Sequence, residues 1–85
     1  MKENLMQLSQ LIAKRIKALL RQRNWTRYEL ARRAAIPCST LYYTLSGTNG
    51  STQSETLINI CRGFDITLFE FFNDPMFELE NIADN

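Results

Sequence analysis

The stretch IPCSTLYYTLSG, residues 36–47, carries hydroxyl and aromatic side chains at spacings that suit contact with a surface rather than bond breaking. Setting Leu41 inward at about 100° per residue brings Leu45 to the same side, points Ser39, Tyr43 and Ser46 outward and leaves Tyr42 on the flank. A helix with so small and polar an outer face is built to touch something. The same inventory suits catalysis poorly. There is no histidine in the chain, which removes the usual zinc sites, histidine general bases and Ser-His triads. No Gly-rich phosphate loop occurs, and the carboxylates and Lys/Arg are spaced into no catalytic pair. The chain therefore reads as a non-enzyme, with no cofactor and no small-molecule ligand evident.

The elements that must position this face follow from local rules. Thr26 and Glu29 stand in the T-x-x-E spacing, in which the threonine oxygen caps one backbone N–H and the glutamate reaches back to another. Leu30, Ala31 and Ala34 form the inward stripe of the helix they open. The next helix is predicted to start at Ile36-Pro37, because proline suits a first turn and forbids the helical conformation just before it. Only Ala35 and Ile36 remain for a turn, so the segment predicts a helix-turn-helix, a device for reading DNA. Ahead of it, Leu5, Leu8, Ile12, Ile16 and Leu19 predict a helix from about Asn4 or Leu8 to Arg23. Trp25 reads as a core residue at the link. Residues 46–51 form a loop by turn chemistry. A second box, Thr52 and Glu55, predicts a helix burying Leu57, Ile60, Cys61 and Phe64. A third, Thr67 and Glu70, predicts a fifth helix, with Ile66, Leu68 and Phe71 or Phe72 closing the core. Three such boxes argue for an all-α fold.

Composition bounds the rest. Eighty-five residues, 45% hydrophobic, make a single domain near the size at which one core suffices. The first ten residues lack an apolar signal region, and no apolar run approaches the ~18 residues needed to span a bilayer. A cytoplasmic protein with no membrane association is expected. Cys38 and Cys61 are too few for a disulfide framework. Cys61 reads as a core residue, while Cys38 opens the outward-facing helix. The net charge of +1 conceals a division. Residues 1–50 hold nine Lys/Arg against two Glu, a net of +7, and residues 51–85 hold Arg62 against seven acids, a net of −6. Such a dipole presents a basic end to phosphate.

From Ile12 to Phe72 the chain resembles the Cro and lambda-repressor type (XRE-like) helix-turn-helix family. The matching pieces are IAKRIKALLRQRNWT, TRYELARRA, IPCSTLYYTLSG and SETLINICRGFDITLFEFF, in the family's order and spacing. The resemblance implies a five-helix DNA-binding domain spanning residues 1–85, with a core at about 8–72 and a tail at 73–85. It implies a transcriptional regulator, a repressor, bound as a homodimer to a double-stranded DNA operator. Carried over residue by residue, Cys38, Ser39 and Tyr43 stand where the family reads bases, and Arg27 stands at its phosphate-clamping position. Thr26, Tyr42, Thr48, Asn49 and Ser51 are further phosphate-contacting candidates. An antitoxin or antirepressor, using the acidic half as a protein-interaction module, is the alternative.

Departures from the family carry expectations too. Asn24, Ala35 and Asp65 replace the glycines usual at helix ends; alanine there costs roughly 1 kcal/mol or more. Leu20 and Leu45 stand where many members carry an Arg–Glu pair. Two apolar side chains remove the desolvation penalty of such a pair, so Leu20 is expected to touch Leu45. In the tail, Phe69, Phe72, Met76, Phe77, Leu79 and Ile82 exceed the needs of a small core. They either form a dimer contact or fold back over their own chain, and Asp74-Pro75 could open a short sixth helix.

Overall fold

The computed structural model describes residues 6–47 and 52–83. The described chain forms five α-helices: α1 (Leu8–Arg23), α2 (Arg27–Ala34), α3 (Cys38–Ser46), α4 (Ser54–Phe64) and α5 (Leu68–Phe72). Two 3-10 turns, Pro75–Phe77 and Leu79–Asn81, follow. The fold is all-α, as expected, and no described helix is long and apolar enough to cross a membrane.

One core takes a stripe from every helix. Ile12, Ile16, Leu19 and Leu20 of α1 meet Leu30, Ala31 and Ala34 of α2, Leu41 and Leu45 of α3, Ile60, Cys61 and Phe64 of α4, and Phe71 of α5. Leu20 and Leu45 are thus buried in the same core. Trp25, Ile36, Leu57, Ile66 and Phe72 pack against it half-buried. Two predicted core residues are not there: Leu8 and Leu68 are each 45% exposed. At the first turn of α1 the inward positions belong to Ser9 and Leu11 instead. Leu5 lies outside the described residues.

Three of the four links between helices use the same device. Asn24, Ala35 and Asp65 all adopt the left-handed conformation, with φ of 58°, 56° and 59°. After each, the next N–H reaches back to the helix: Trp25 to Leu20 O at 3.0 Å, Ile36 to Ala31 O at 3.1 Å, Ile66 to Cys61 O at 3.0 Å. This is the Schellman closure, and its apolar residue docks on the core and fixes the exit direction of the chain. The residues after the reversal, Thr26, Pro37 and Thr67, are the N-caps of the helices that follow.

The predicted capping boxes divide. At Thr67 both halves form, Glu70 N–H to Thr67 Oγ1 at 3.0 Å and Thr67 N–H to Glu70 Oε1 at 2.8 Å. At Thr26 only the threonine half forms, because the Glu29 carboxylate is drawn to Arg32 and Arg33 instead. The Thr52 box does not form: α4 starts at Ser54 with Gln53 as N-cap, and among the described residues the buried Thr52 Oγ1 has no hydrogen-bond partner.

The tail folds back in part. Phe77 packs against the core, edge-on to Phe72 at 4.8 Å between ring centroids. Asp74-Pro75 opens a 3-10 turn rather than a helix, with Asp74 Oδ1 accepting from Met76 N–H. Arg15 holds the junction: it donates to Phe71 O at 2.7 Å and Glu70 O at 3.0 Å and lies 3.7 Å from the Asp74 carboxylate. Met6 and Ile82 form a parallel bridge, so the two ends of the described chain are tied together.

Candidate nucleic-acid interface

The orientation of α3 is set from below. Leu41, Thr44 and Leu45 are buried, and Thr44 spends its hydroxyl on Thr40 O at 3.1 Å, so a polar residue sits inward at little cost. The helix begins at Cys38 rather than at Ile36-Pro37, and Pro37 is its N-cap with ψ of 146°. Ile36 closes the preceding turn onto Ala31, which leaves it no helical role. The turn is one residue longer than expected, and Ala35 supplies the left-handed step.

The face opposite the core is open. Cys38 and Ser39 are exposed, and Tyr42 and Tyr43 are 57% and 62% exposed. Three predicted base-reading residues, Cys38, Ser39 and Tyr43, therefore share the solvent side of one helix. Arg27, the first residue of α2, places its guanidinium 5.4 Å from the centre of the Tyr42 ring, a cation–π distance. Thr26 accepts from Glu29 N–H at 3.1 Å, so its oxygen lone pair serves the cap while its hydroxyl proton can still be donated. Thr26, Arg27 and Tyr42 lie where α2 begins and α3 passes. Thr48, Asn49 and Ser51 lie outside the described residues.

Charge is distributed less simply than along the sequence. Four of the arginines in the basic half are engaged in the scaffold. Arg15 caps α5. Arg23 donates to Phe64 O at 2.7 Å and lies over Trp25, which stacks on Phe64 at 5.5 Å. Arg32 and Arg33 converge on Glu29. Their hydrogen bonds, that of Arg32 above all, hold the Glu29 carboxyl below its usual range, and the same contact raises Arg32. Among the described residues, Lys14, Lys17, Arg21 and Arg27 have no carboxylate at ion-pair distance. Lys14 and Lys17 escaped the reading of α3 alone. They recur three apart on α1, and lie beside Ser46 and Gly47 at the end of α3. The two thiols differ as expected: Cys38 is exposed, whereas burial pushes Cys61 up.

Two short helices joined by a left-handed turn, the first anchored by its cap and the second presenting a polar face beside an arginine, define a helix-turn-helix domain. The chain matches the Cro/C1-type HTH DNA-binding domain over residues 15–75 and belongs to that family. No curated protein and no solved structure matches it.

Proposed function

We propose that this DNA-binding domain is a sequence-specific transcriptional repressor that binds its operator as a homodimer, with α3 in the major groove. The observation that carries the reading is the pairing of an outward polar face on α3 with Arg27 stacked at its flank. A groove about 12 Å wide admits one helix, and a cation at a helix N-terminus beside it is suited to phosphate. Cys38, Ser39 and Tyr43 face the base edges. None of them makes the bidentate bonds of arginine to guanine or glutamine to adenine, so thymine methyl contact and water-mediated readout supply the discrimination. Arg27, Thr26 and Tyr42 hold the sugar-phosphate backbone, joined by Thr48, Asn49 and Ser51, which follow α3 in the sequence. Such work suits a cytoplasmic protein.

The homodimer is supported by an apolar strip. Leu68, Phe69, Phe72 and Asn73 line an apolar groove, which Phe72 and Asn73 share with a second groove, lined also by the exposed Leu79 and the acidic residues Asp74 and Glu78. A single domain reads few base pairs, and two-fold pairing is the usual source of useful specificity.

Arg27→Ala tests the docking. Binding to all sequences is expected to weaken about equally, with the salt slope falling by roughly one unit. A change of base preference at one position would place Arg27 in the groove instead. The protein-interaction alternative, in which the acidic half engages a partner, predicts no salt-dependent binding of non-specific DNA at all.

A further inference from the structure

We propose that Lys14 and Lys17 of α1 form a second phosphate-gripping shoulder, continuing along the flank of α3 the row of cations that Arg27 begins. The inference rests on the DNA-binding reading above and adds an element, α1, that the helix-turn-helix itself does not include. Gln10, Lys14 and Lys17 form one wall of a trough whose other wall is Leu45, Ser46 and Gly47. Gly47 is drawn tight against α1, since a Cβ on it would lie 3.3 Å from the Gln10 Cα. The stretch of α1 that carries the lysines is therefore held close to the end of α3.

Their position along α3 gives the partner. Arg27 lies over Tyr42, and Ser46, beside the lysines, follows Tyr42 by four residues, about one turn along α3. One turn is about 5.4 Å, and one DNA strand carries a phosphate for roughly every 3.4 Å of axis. Cations attached beside Tyr42 and beside Ser46 would thus each have a phosphate of the bordering strand within reach when α3 lies in the groove. Among the described residues no carboxylate pairs with either lysine, so counterions occupy them until phosphate displaces them. The remaining use for two lysines here is structural, complementing the carbonyl end of α3.

The test is the salt dependence of binding of the intact chain to a random-sequence duplex of about 20 base pairs, roughly two turns. Lys14→Gln, Lys17→Gln and the double variant are compared with Arg27→Ala and with the Lys14→Arg/Lys17→Arg pair. Between about 50 and 200 mM salt each lost phosphate contact removes about 3.5-fold of the salt-induced weakening. The double Gln variant is expected to lose about tenfold of it, with base preference unchanged, and the Arg pair to keep it. An unchanged slope in the double Gln variant, while Arg27→Ala lowers it, overturns the shoulder and leaves the DNA-binding reading standing. An unchanged slope with a lower thermal midpoint overturns it in favour of the structural role. A parent chain that shows no salt-dependent binding overturns both.

Discussion

α3 and α5 are both short and both leave large side chains in water, but they expose opposite chemistry. On α3 the apolar residues Leu41 and Leu45 are buried, and what faces outward is Ser39, Tyr42 and Tyr43. On α5 and the turns after it, Phe71 is buried while Phe69 is 77% and Leu79 is 85% exposed. Polar groups can bond to water until a partner arrives, so their exposure is cheap and their value lies in specificity. Exposed aromatic and aliphatic groups gain by being covered. Under the proposed function, the difference suits α3 to reading and α5 with the turns after it to association.

The sharpest contrast is between the two buried and exposed aromatics. Phe71→Ala removes a fully buried ring from the core and is expected to cost about 3–5 kcal/mol of unfolding free energy, read by urea denaturation. Tyr43→Ala is expected to stay within about 0.5 kcal/mol in the same experiment. It is expected instead to relax preference at particular base pairs by about 1–3 kcal/mol. An equal stability loss from both would dissolve the distinction.

The association half is tested by Phe69→Ser with Leu79→Ser. Analytical ultracentrifugation at micromolar concentration is expected to show a dimer for the parent chain and a monomer for the variant. The unfolding free energy of the variant monomer should be nearly that of the parent protomer. Removing residues 75–85 outright is a blunter version, because it also takes away Phe77 from the core and the partner of Met6. A parent chain that is monomeric would leave the strip without its assigned use.

Smaller effects refine the scaffold of the reading helix. Ala35→Gly relieves the left-handed strain at the turn and is expected to stabilise by about 1 kcal/mol, raising the thermal midpoint by roughly 4–8 °C for a domain of this size. Glu29→Gln has the smallest effect. The Glu29 carboxyl titrates below its ordinary value of 4.5 because Arg32, then Arg33, hydrogen-bond to it. A lowered folded value means that its contribution is present above the unfolded value and is lost as pH falls through the folded one. The variant is therefore expected to lose a little stability at neutral pH and to converge with the parent in acid, as followed by thermal melts across pH.

Much of this architecture was legible because local chemistry and tertiary structure agree. The stripes of α2, α3 and α4 appear at helical spacing, and the Thr67 box forms because, among the described residues, no cation pairs with the Glu70 carboxylate. Where a stronger partner existed, local rules failed. Glu29 has two arginines within a turn, so the second half of the Thr26 box does not form. The start of α3 slipped because Ile36 serves the preceding turn, and proline works as a cap as readily as in the first helical turn. A signal was present that single boxes do not reveal: Asn24-Trp25-Thr26, Ala35-Ile36-Pro37 and Asp65-Ile66-Thr67 repeat one pattern of reversal, apolar dock and cap. The tail was ambiguous because its apolar residues serve two ends, Phe77 inward and Leu79 outward, and composition does not separate them. Charge along the chain likewise could not reveal that Arg15 and Arg23 bond to carbonyls of α5 and α4 rather than facing a partner.

Selection of bound duplexes from a random pool by the intact chain tests the division of labour most directly. An inverted repeat is expected, its half-sites centred about 34 Å apart, one turn of DNA, with Tyr43→Ala blurring positions within each half-site and Phe69→Ser with Leu79→Ser abolishing the repeat while leaving the half-site intact. Enrichment of no sequence over the starting pool would contradict the assignment of α3 to base reading, and a single unrepeated site would contradict the assignment of the apolar strip to pairing.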